Sequence, residues 1–369
     1  MSSTRQNYKQ IKRIAMYHLP LLLKGNIAAH NSYFLSKVKP KPRTVEISIT
    51  EKCCLRCIAC NVWRKRSTDE LTLGEVMDII DQLKEEGFVN LFLSGGEPLL
   101  RSDIFDIIKY ANKLHFDIGL FTNGYLVNEE VATKLVENGV SSVSLSLDAL
   151  GKKYDEMRGV EGAYDRVYNA IKIFLRLKKE NKLNSFVIST LIMKPTLDSV
   201  LEIIDFGIKK GAPIKFNLLD YTPYFFQNVA SQKNELWVGE TDMHRLNKLV
   251  DMIIKIKRKH PQMIMESYAS LEYIRDYFRD PLQKDIPCFR ILKNIQIDPR
   301  GKVYPCWSVP PIGDLRKEKL SSILSSENYI KRTQKLFKKE CPGCSCGYET
   351  NLRYDIRNLI REMVLRLKR

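Results

Sequence analysis

Three cysteines near the start of the chain are spaced to ligate one metal centre. Cys53, Cys57 and Cys60 follow a C-x3-C-x2-C pattern. Thiolates bind iron–sulfur clusters and structural zinc, but zinc sites usually add a second cysteine pair or histidines, and the neighbouring sequence has neither. A [4Fe-4S] cluster normally takes four cysteines. The pattern therefore predicts a cluster with one iron open to another ligand, while Cys54, outside the spacing, is expected to be a small buried hydrophobe.

A second group of cysteines lies toward the C-terminus, at Cys288, Cys306, Cys341, Cys344 and Cys346. A hairpin between residues 294–297 and 303–304 is predicted to bring Cys288 near Cys306. Cys341 and either Cys344 or Cys346 complete a four-ligand site, and the C-x2-C spacing to Cys341 favours Cys344. A zinc ribbon made from the same thiols is the alternative.

Small and polar residues fall where predicted strands end. Gly95, Gly96 and Glu97 follow one apolar run, and the two glycines permit close backbone approach and unusual dihedral angles. Asn123 follows the next run, and Ser146 lies in a run whose polar residues alternate onto one face. Arg158 comes soon after, with a planar guanidinium that suits carboxylate recognition. Together they predict a ligand site at one edge of a sheet.

The elements that must position these residues are alternating strands and helices, which is typical of βα units around a parallel sheet. Six units are too few for the closed eight-stranded barrel, so we expect an α/β fold with a partial (β/α)6 TIM-type barrel and a site at the C-terminal ends of its strands. A small cysteine-rich α+β domain should follow. The predicted strands are 44–50, 90–94, 116–122, 142–148, 186–193 and 214–220, and the predicted helices between them are 73–86, 103–113, 129–138, 164–179 and 197–210.

Residues 44–220, about half of the chain, resemble the core of the radical SAM superfamily. The cysteine spacing matches the family's cluster motif, and the run Ser94 to Pro98 matches its Gly-Gly-Glu motif. The resemblance implies that Cys53, Cys57 and Cys60 hold a [4Fe-4S] cluster whose open iron is chelated by S-adenosylmethionine (SAM). It also implies that the glycine backbone pairs with the methionine amino group of SAM.

Further SAM contacts are implied by the same resemblance. Asn123 belongs to the expected SAM site, Ser146 would bond the ribose or carboxylate, and Arg158 would reach the carboxylate. The alternative for Arg158 is a surface salt bridge with Asp155 or Glu156. The family commonly has an aromatic residue just before the third cysteine, where this chain has Ala59. Adenine is therefore expected to contact another side chain, with Trp63 and the region of Ile192 as candidates.

The C-terminal cysteines resemble the shortened SPASM, or twitch, extension of radical SAM enzymes. This implies one auxiliary [4Fe-4S] cluster on Cys288, Cys306, Cys341 and Cys344. The full SPASM pattern has seven cysteines, and five are present here, so a second auxiliary cluster is not expected.

The net charge of +17 indicates attraction to an anionic partner. The apolar runs fall short of the ~20 residues of a membrane span and no secretory signal is evident, so a cytoplasmic protein with reduced thiols is expected. The basic lead-in is expected to pack on the barrel, with docking at the inner membrane surface through the basic termini as the alternative. The expected divisions are a lead-in at 1–43, the barrel at 44–230, a helical connector at 231–287, the auxiliary domain at 288–350 and a basic C-terminal helix at 351–369.

The resemblance implies reductive cleavage of SAM to a 5'-deoxyadenosyl radical that abstracts a substrate hydrogen. An auxiliary cluster able to accept electrons favours net oxidation or cross-linking of a peptide, and dehydrogenation of a lipid, sugar or other anionic small molecule is the alternative. An electron donor such as flavodoxin or ferredoxin is implied. The rival from another class is a zinc-stabilised basic module that binds nucleic acid, with salt-sensitive affinity and no SAM cleavage. No nucleic-acid recognition motif supports it.

Overall fold

One sheet of nine strands organises the part of the chain that the computed structural model describes, residues 40–65, 68–220, 233–282, 287–338 and 340. The strand order is β6-β5-β4-β3-β2-β1-β7-β8-β9. The strands are β1 Thr44–Ser48, β2 Asn90–Ser94, β3 Asp117–Thr122, β4 Val140–Ser146, β5 Ser185–Ile192, β6 Ile214–Leu218, β7 Asn294–Ile297, β8 Lys302–Tyr304 and β9 Gly313–Asp314.

Strands β1 to β6 pair in parallel in chain order, with helices in the connections. This confirms the predicted open (β/α)6 arrangement, since the sheet does not close through β6 within the described residues. The helices are α1 Leu73–Glu85, α2 Ile104–Lys113, α3 Glu129–Glu137, α4 Gly151–Arg158, α5 Ala163–Lys179, α6 Ser199–Lys210, α7 Lys233–Leu236, α8 Met243–Lys259, α9 Tyr268–Arg279, α10 Leu320–Ser325 and α11 Glu327–Phe337.

Local sequence explains where the helices begin and end. Thr72 and Glu75 form a reciprocal capping box at the start of α1, which satisfies two backbone N–H groups that the helix leaves unpaired. Asn128 caps α3 by accepting from the backbone of Val131. Gly211 ends α6 in the left-handed region, where glycine costs least.

The two faces of the parallel sheet differ in chemistry. One face presents fully buried aliphatic residues such as Val45, Ile47 and Leu91 to the helices, and this packing forms the core. The opposite face, here called the inner face, carries aromatic, polar and charged side chains that are mostly half-buried: Glu46, Phe92, Phe121, Ser144, Ser146, Ser189, Lys215 and Asn217. The inner face of this partial barrel is therefore polar enough to receive a ligand.

The C-terminal region continues the same sheet. Strand β7 pairs in parallel with β1, and β8 and β9 follow antiparallel, so the hairpin expected at this place is present. The boundary of a separate auxiliary domain therefore stays a prediction. Most of the basic lead-in and all of the basic C-terminal segment lie outside the described residues. Within the described ranges, no helix has the length and apolarity to span a membrane.

Candidate functional site

The cysteine loop, residues 49–61, leaves the C-terminal end of β1 and lies against the end of α4. The backbone N–H groups of Arg56 and Ile58 donate to the carbonyls of Arg158 and Met157, at 2.8 and 3.0 Å. Gly159 permits this contact, because a Cβ there would stand 2.8 Å from the carbonyl oxygen of Arg56. The loop is thus held by backbone contacts to α4, a helix that the sequence analysis did not predict.

Each of the three predicted ligand sulfurs accepts an N–H group. Arg158 Nη1 donates to Cys57 Sγ at 3.3 Å, the backbone of Val62 donates to Cys60 Sγ at 3.5 Å, and Asn123 Nδ2 donates to Cys53 Sγ at 3.8 Å. N–H groups directed at sulfur favour the thiolate, which is the form that ligates iron. Burial outweighs this effect at Cys60 and raises its pKa to about 11, and the hydrogen bond with Cys54 together with burial raises the pKa of Cys53. Hydrogen bonds to ligand sulfurs are also a usual means of tuning iron–sulfur clusters.

The donor set therefore fits a [4Fe-4S] cluster held by three cysteines. Asn123 Nδ2 also lies 3.6 Å from Cys54 Sγ, so the fourth thiol shares a donor with Cys53. In the part of the chain that the structure describes, no three His, Cys, Asp or Glu side chains surround a single-ion position.

The two glycines of the Gly-Gly-Glu motif let the end of β2 pack directly on the chain that precedes Cys53. The N–H of Gly96 donates to the Thr50 carbonyl and that of Glu97 to the Lys52 carbonyl, both at 2.8 Å. A Cβ on Gly95 would lie 2.3 Å from the Thr50 oxygen, and Gly95 has a φ of 137°. Both positions thus require glycine for structural reasons, and their predicted contact with SAM stays a prediction.

Glu97 joins the ends of two strands from a fully buried position. Its carboxylate accepts from Thr122 Oγ1 and from the backbone of Asn123, both at 2.8 Å, and from the backbone of Leu99 at 3.3 Å. Burial raises the pKa of Glu97 to about 7, against the lowering effect of these donors. Glu97 therefore fixes Asn123, whose amide reaches the cysteine sulfurs.

Arg158 is buried with 8 % of its surface exposed, and it lies beside the cysteine loop. Its ion-pair partner is Asp148 at 2.8 Å, not Asp155 or Glu156 as the alternative reading expected. Asp148 also accepts from the backbone of Leu191 at 2.7 Å, which ties β5 to this pair. The positive charge of the guanidinium is therefore held near Cys57 by Asp148, which follows β4 and is itself bound to the backbone of β5.

A cavity of about 360 Å³ adjoins the cysteine loop. Its walls include Cys57, Cys60 and Trp63 on one side and Pro195 and Leu236 on the other. Of the two adenine contacts considered, Trp63 lines this cavity. Ile192 is fully buried, and its neighbour Leu191 is the half-exposed residue. Ser146 is half-buried on the inner face.

The second cysteine group is described only in part. Cys288 and Cys306 are buried in one small apolar cluster that includes Phe289 and Phe337. The backbone of Cys288 donates to the carbonyl of Phe337 at 3.4 Å, and Ser308 N–H donates to Cys306 Sγ at 3.5 Å. Cys341, Cys344 and Cys346 lie outside the described residues, so their participation stays a prediction.

The two cysteine groups lie at opposite ends of the strands, here called the C-terminal edge and the N-terminal edge after the ends of β1. Cys53 follows the C-terminal end of β1, whereas Cys288 precedes the parallel strand β7 and Cys306 follows the antiparallel strand β8. The second group is therefore at the N-terminal edge. At about 3.3 Å per residue, the length of β1 separates the two edges by roughly 16 Å. The inner face lies between them.

A partial parallel barrel with three thiols on the loop at its C-terminal edge indicates an iron–sulfur protein of the α/β class. Comparison with known families agrees: residues 47–207 match the radical SAM superfamily, and residues 288–346 match SPASM, an iron–sulfur cluster-binding domain. The chain belongs to the radical SAM superfamily. Membership implies SAM and a [4Fe-4S] cluster, and the SPASM match implies an auxiliary iron–sulfur cluster.

The chain is also similar to individual proteins with different names. The chain is 26 % identical over 330 residues to the AdoMet-dependent heme synthase of Methanosarcina barkeri, covering 82 % of this chain and 91 % of the relative. It is 34 % identical over 228 residues to the probable GTP 3',8-cyclase of Methanococcus vannielii, covering 56 % and 72 %. The crystal structure of Streptococcus suis SuiB bound to precursor peptide SuiA has the same fold, with a TM-score of 0.62, 15 % identity and coverage of 81 % and 68 %.

Proposed function

We propose that this radical SAM enzyme abstracts a hydrogen atom from a peptide and that the product leaves oxidised or cross-linked. When bound, the cluster and SAM supply reductive cleavage of SAM to methionine and a 5'-deoxyadenosyl radical. The chain contributes the thiols of Cys53, Cys57 and Cys60, and Arg158 and Asn123 donate to two of those sulfurs. We assign Gly95, Gly96 and Ser146 to SAM binding from their places at the C-terminal edge.

The observation that carries the proposal is the position of the inner face between the two cysteine groups. A substrate on this face would meet the radical from the C-terminal edge. An auxiliary cluster held by Cys288 and Cys306 at the N-terminal edge would supply an electron acceptor on the other side of such a substrate. A site with an electron acceptor on the far side of the substrate supports net oxidation rather than simple hydrogen return.

The chemistry of the inner face favours a peptide over a polyanion. Phe92 and Phe121 stack at a centroid distance of 5.4 Å. They lie beside Glu46 and Ser144, their partners on the neighbouring strands, and Lys215 on β6 is an exposed cation of the same face. An aromatic pair next to a carboxylate suits peptide side chains better than a polyanion, which the carboxylate would repel. The nearby cation Arg290 already faces Glu46 at 3.7 Å, so it is committed to a carboxylate of the protein. An anionic small molecule remains the second candidate because of the net charge of +17.

Deuterium transfer tests the proposal without knowledge of the substrate. The reconstituted enzyme is incubated anaerobically with SAM, dithionite and either a perdeuterated peptide mixture or a perdeuterated polar metabolite extract. Mass spectrometry then measures deuterium in 5'-deoxyadenosine. The proposal expects transfer from the peptides, and transfer from the metabolites alone would move the assignment to a small molecule.

Two variants locate the substrate on the inner face. Phe121→Ala should lower deuterium transfer by about tenfold or more while 5'-deoxyadenosine is still formed, because it removes half of the aromatic pair. Phe105→Ala is the matched control, since it removes a half-buried ring from the outer helix α2. Equal losses in both variants would contradict the location. Absence of 5'-deoxyadenosine from fully iron-loaded wild-type enzyme would contradict the function itself.

A further inference from the structure

A buried carboxylate stands near the start of the cysteine loop, ahead of the first predicted cluster ligand. Glu51, two residues ahead of Cys53, has 2 % of its surface exposed. Both of its oxygens accept from Arg300, with Nη1 to Oε1 at 3.2 Å and Nη2 to Oε2 at 2.7 Å. Lys65 adds a longer contact at 3.7 Å. A bidentate guanidinium–carboxylate pair fixes orientation as well as distance, so Glu51 is held in one place.

Arg300 is itself held by a tight turn between β7 and β8. The carboxylate of Asp298 accepts from the backbone N–H groups of Arg300 and Lys302, both at 2.9 Å. Gly301 adopts a φ of 82°, which the turn requires and which side chains rarely allow. The Pro299 carbonyl accepts from the N–H of Leu71 at 2.7 Å. The turn therefore contacts both the cysteine loop and the chain that follows it.

The β7–β8 hairpin reaches from one cysteine group to the other. Its turn, with Arg300, contacts the cysteine loop at the C-terminal edge, and β8 leads back to Cys306 at the N-terminal edge. We propose that Arg300 is a positioning residue: its pair with Glu51 ties the cysteine loop to this hairpin and sets the distance between the two cysteine sites across the substrate face. The inference rests on the proposed function, which requires two sites acting on one substrate.

A purely stabilising role of the Arg300–Glu51 pair would lead to a different result. The Arg300 side chain is 36 % exposed and that of Glu51 is buried. Ion pairs of this kind often contribute little net stability, and apolar residues of similar size can often replace them without loss. If Arg300 and Glu51 only filled space, the double variant Glu51→Leu with Arg300→Met would behave as the wild type. If the pair sets geometry, the double variant restores the melting temperature but leaves the cysteine loop misplaced.

The test compares Arg300→Met, the double variant and Lys302→Met as reconstituted full-length enzymes. Lys302→Met is the matched control, because it breaks a pair with Asp314 at 2.8 Å on the same hairpin without touching Glu51. The measurements are melting temperature, iron per chain, the electron paramagnetic resonance spectrum of the reduced cluster with SAM, and KM for SAM against kcat for 5'-deoxyadenosine.

We expect Arg300→Met and the double variant to lose about tenfold to hundredfold in 5'-deoxyadenosine formation with an altered spectrum, since a misplacement of about 1 Å has such effects. The control should keep both readouts. Wild-type spectra and rates in the double variant would overturn the proposal, as would an equal loss in the control. If Arg300→Met does not fold, the spectrum and rate of the double variant alone test the proposal. Absence of 5'-deoxyadenosine from the wild type would instead count against the proposed function.

Discussion

Gly96 is the position where a single added carbon should do most damage to the cysteine loop. A Cβ there would stand 2.2 Å from the Lys52 carbonyl oxygen, 2.7 Å from its carbon and 2.8 Å from the Glu51 oxygen. All three are backbone atoms, so no side chain can rotate away. Since contacts under 3.0 Å are essentially never seen at a Cβ, Gly96→Ala must move the loop by about 1 Å. Overpacking of this kind costs about 1 to 3 kcal/mol.

The displaced segment leads directly to Cys53, so the loss should appear in cluster chemistry more than in stability. We expect Gly96→Ala to reduce 5'-deoxyadenosine formation by about tenfold or more, with lower iron content after reconstitution. Gly74→Ala is the control, because a Cβ at Gly74 meets no atom within 4 Å and alanine favours helix α1. Full iron content and wild-type rates in Gly96→Ala would refute the steric reasoning.

Two other predictions concern buried charges near the loop. Burial raises the pKa of Glu97 from 4.5 to about 7. The unfolding free energy of the wild type, relative to Glu97→Gln, should therefore fall by about 1.4 kcal/mol per pH unit between pH 5 and pH 7 and level off above pH 7. Urea titrations at several pH values check this, and a difference independent of pH would contradict it. Asp148→Asn leaves the buried Arg158 without its carboxylate partner and should lower the unfolding free energy by about 3 to 5 kcal/mol in the same assay. A decrease under about 1 kcal/mol would show that the pair is dispensable.

The repeating part of the fold was accessible from sequence because periodicity and helix ends are local. Strand β2 was predicted with its observed bounds, Asn90–Ser94, and helix α1 differs from its prediction by one residue at the C-terminal end. The capping box at Thr72 is a pattern of neighbouring residues, which is why it can be recognised without a structure. Helix α4 was missed because it is short and polar and begins with a glycine.

The contacts that position the site depend on residues far apart in sequence. The parallel pairing of β7 with β1 and the pair of Arg300 with Glu51 join positions about 250 residues apart, and no local pattern reports them. Arg158 was identified as a site residue, but its partner Asp148 and its contact with Cys57 follow from the packing of α4 against the loop. The type and spacing of the three cysteines, by contrast, needed no tertiary information.

Replacement of Cys57 tests the central claim most directly. Cys57→Ala should lose about four irons per chain and all 5'-deoxyadenosine formation, because two thiols are left for the cluster that binds SAM. Cys54→Ala, a neighbouring thiol outside the spacing, should keep both. Wild-type iron content and SAM cleavage in Cys57→Ala would contradict the account.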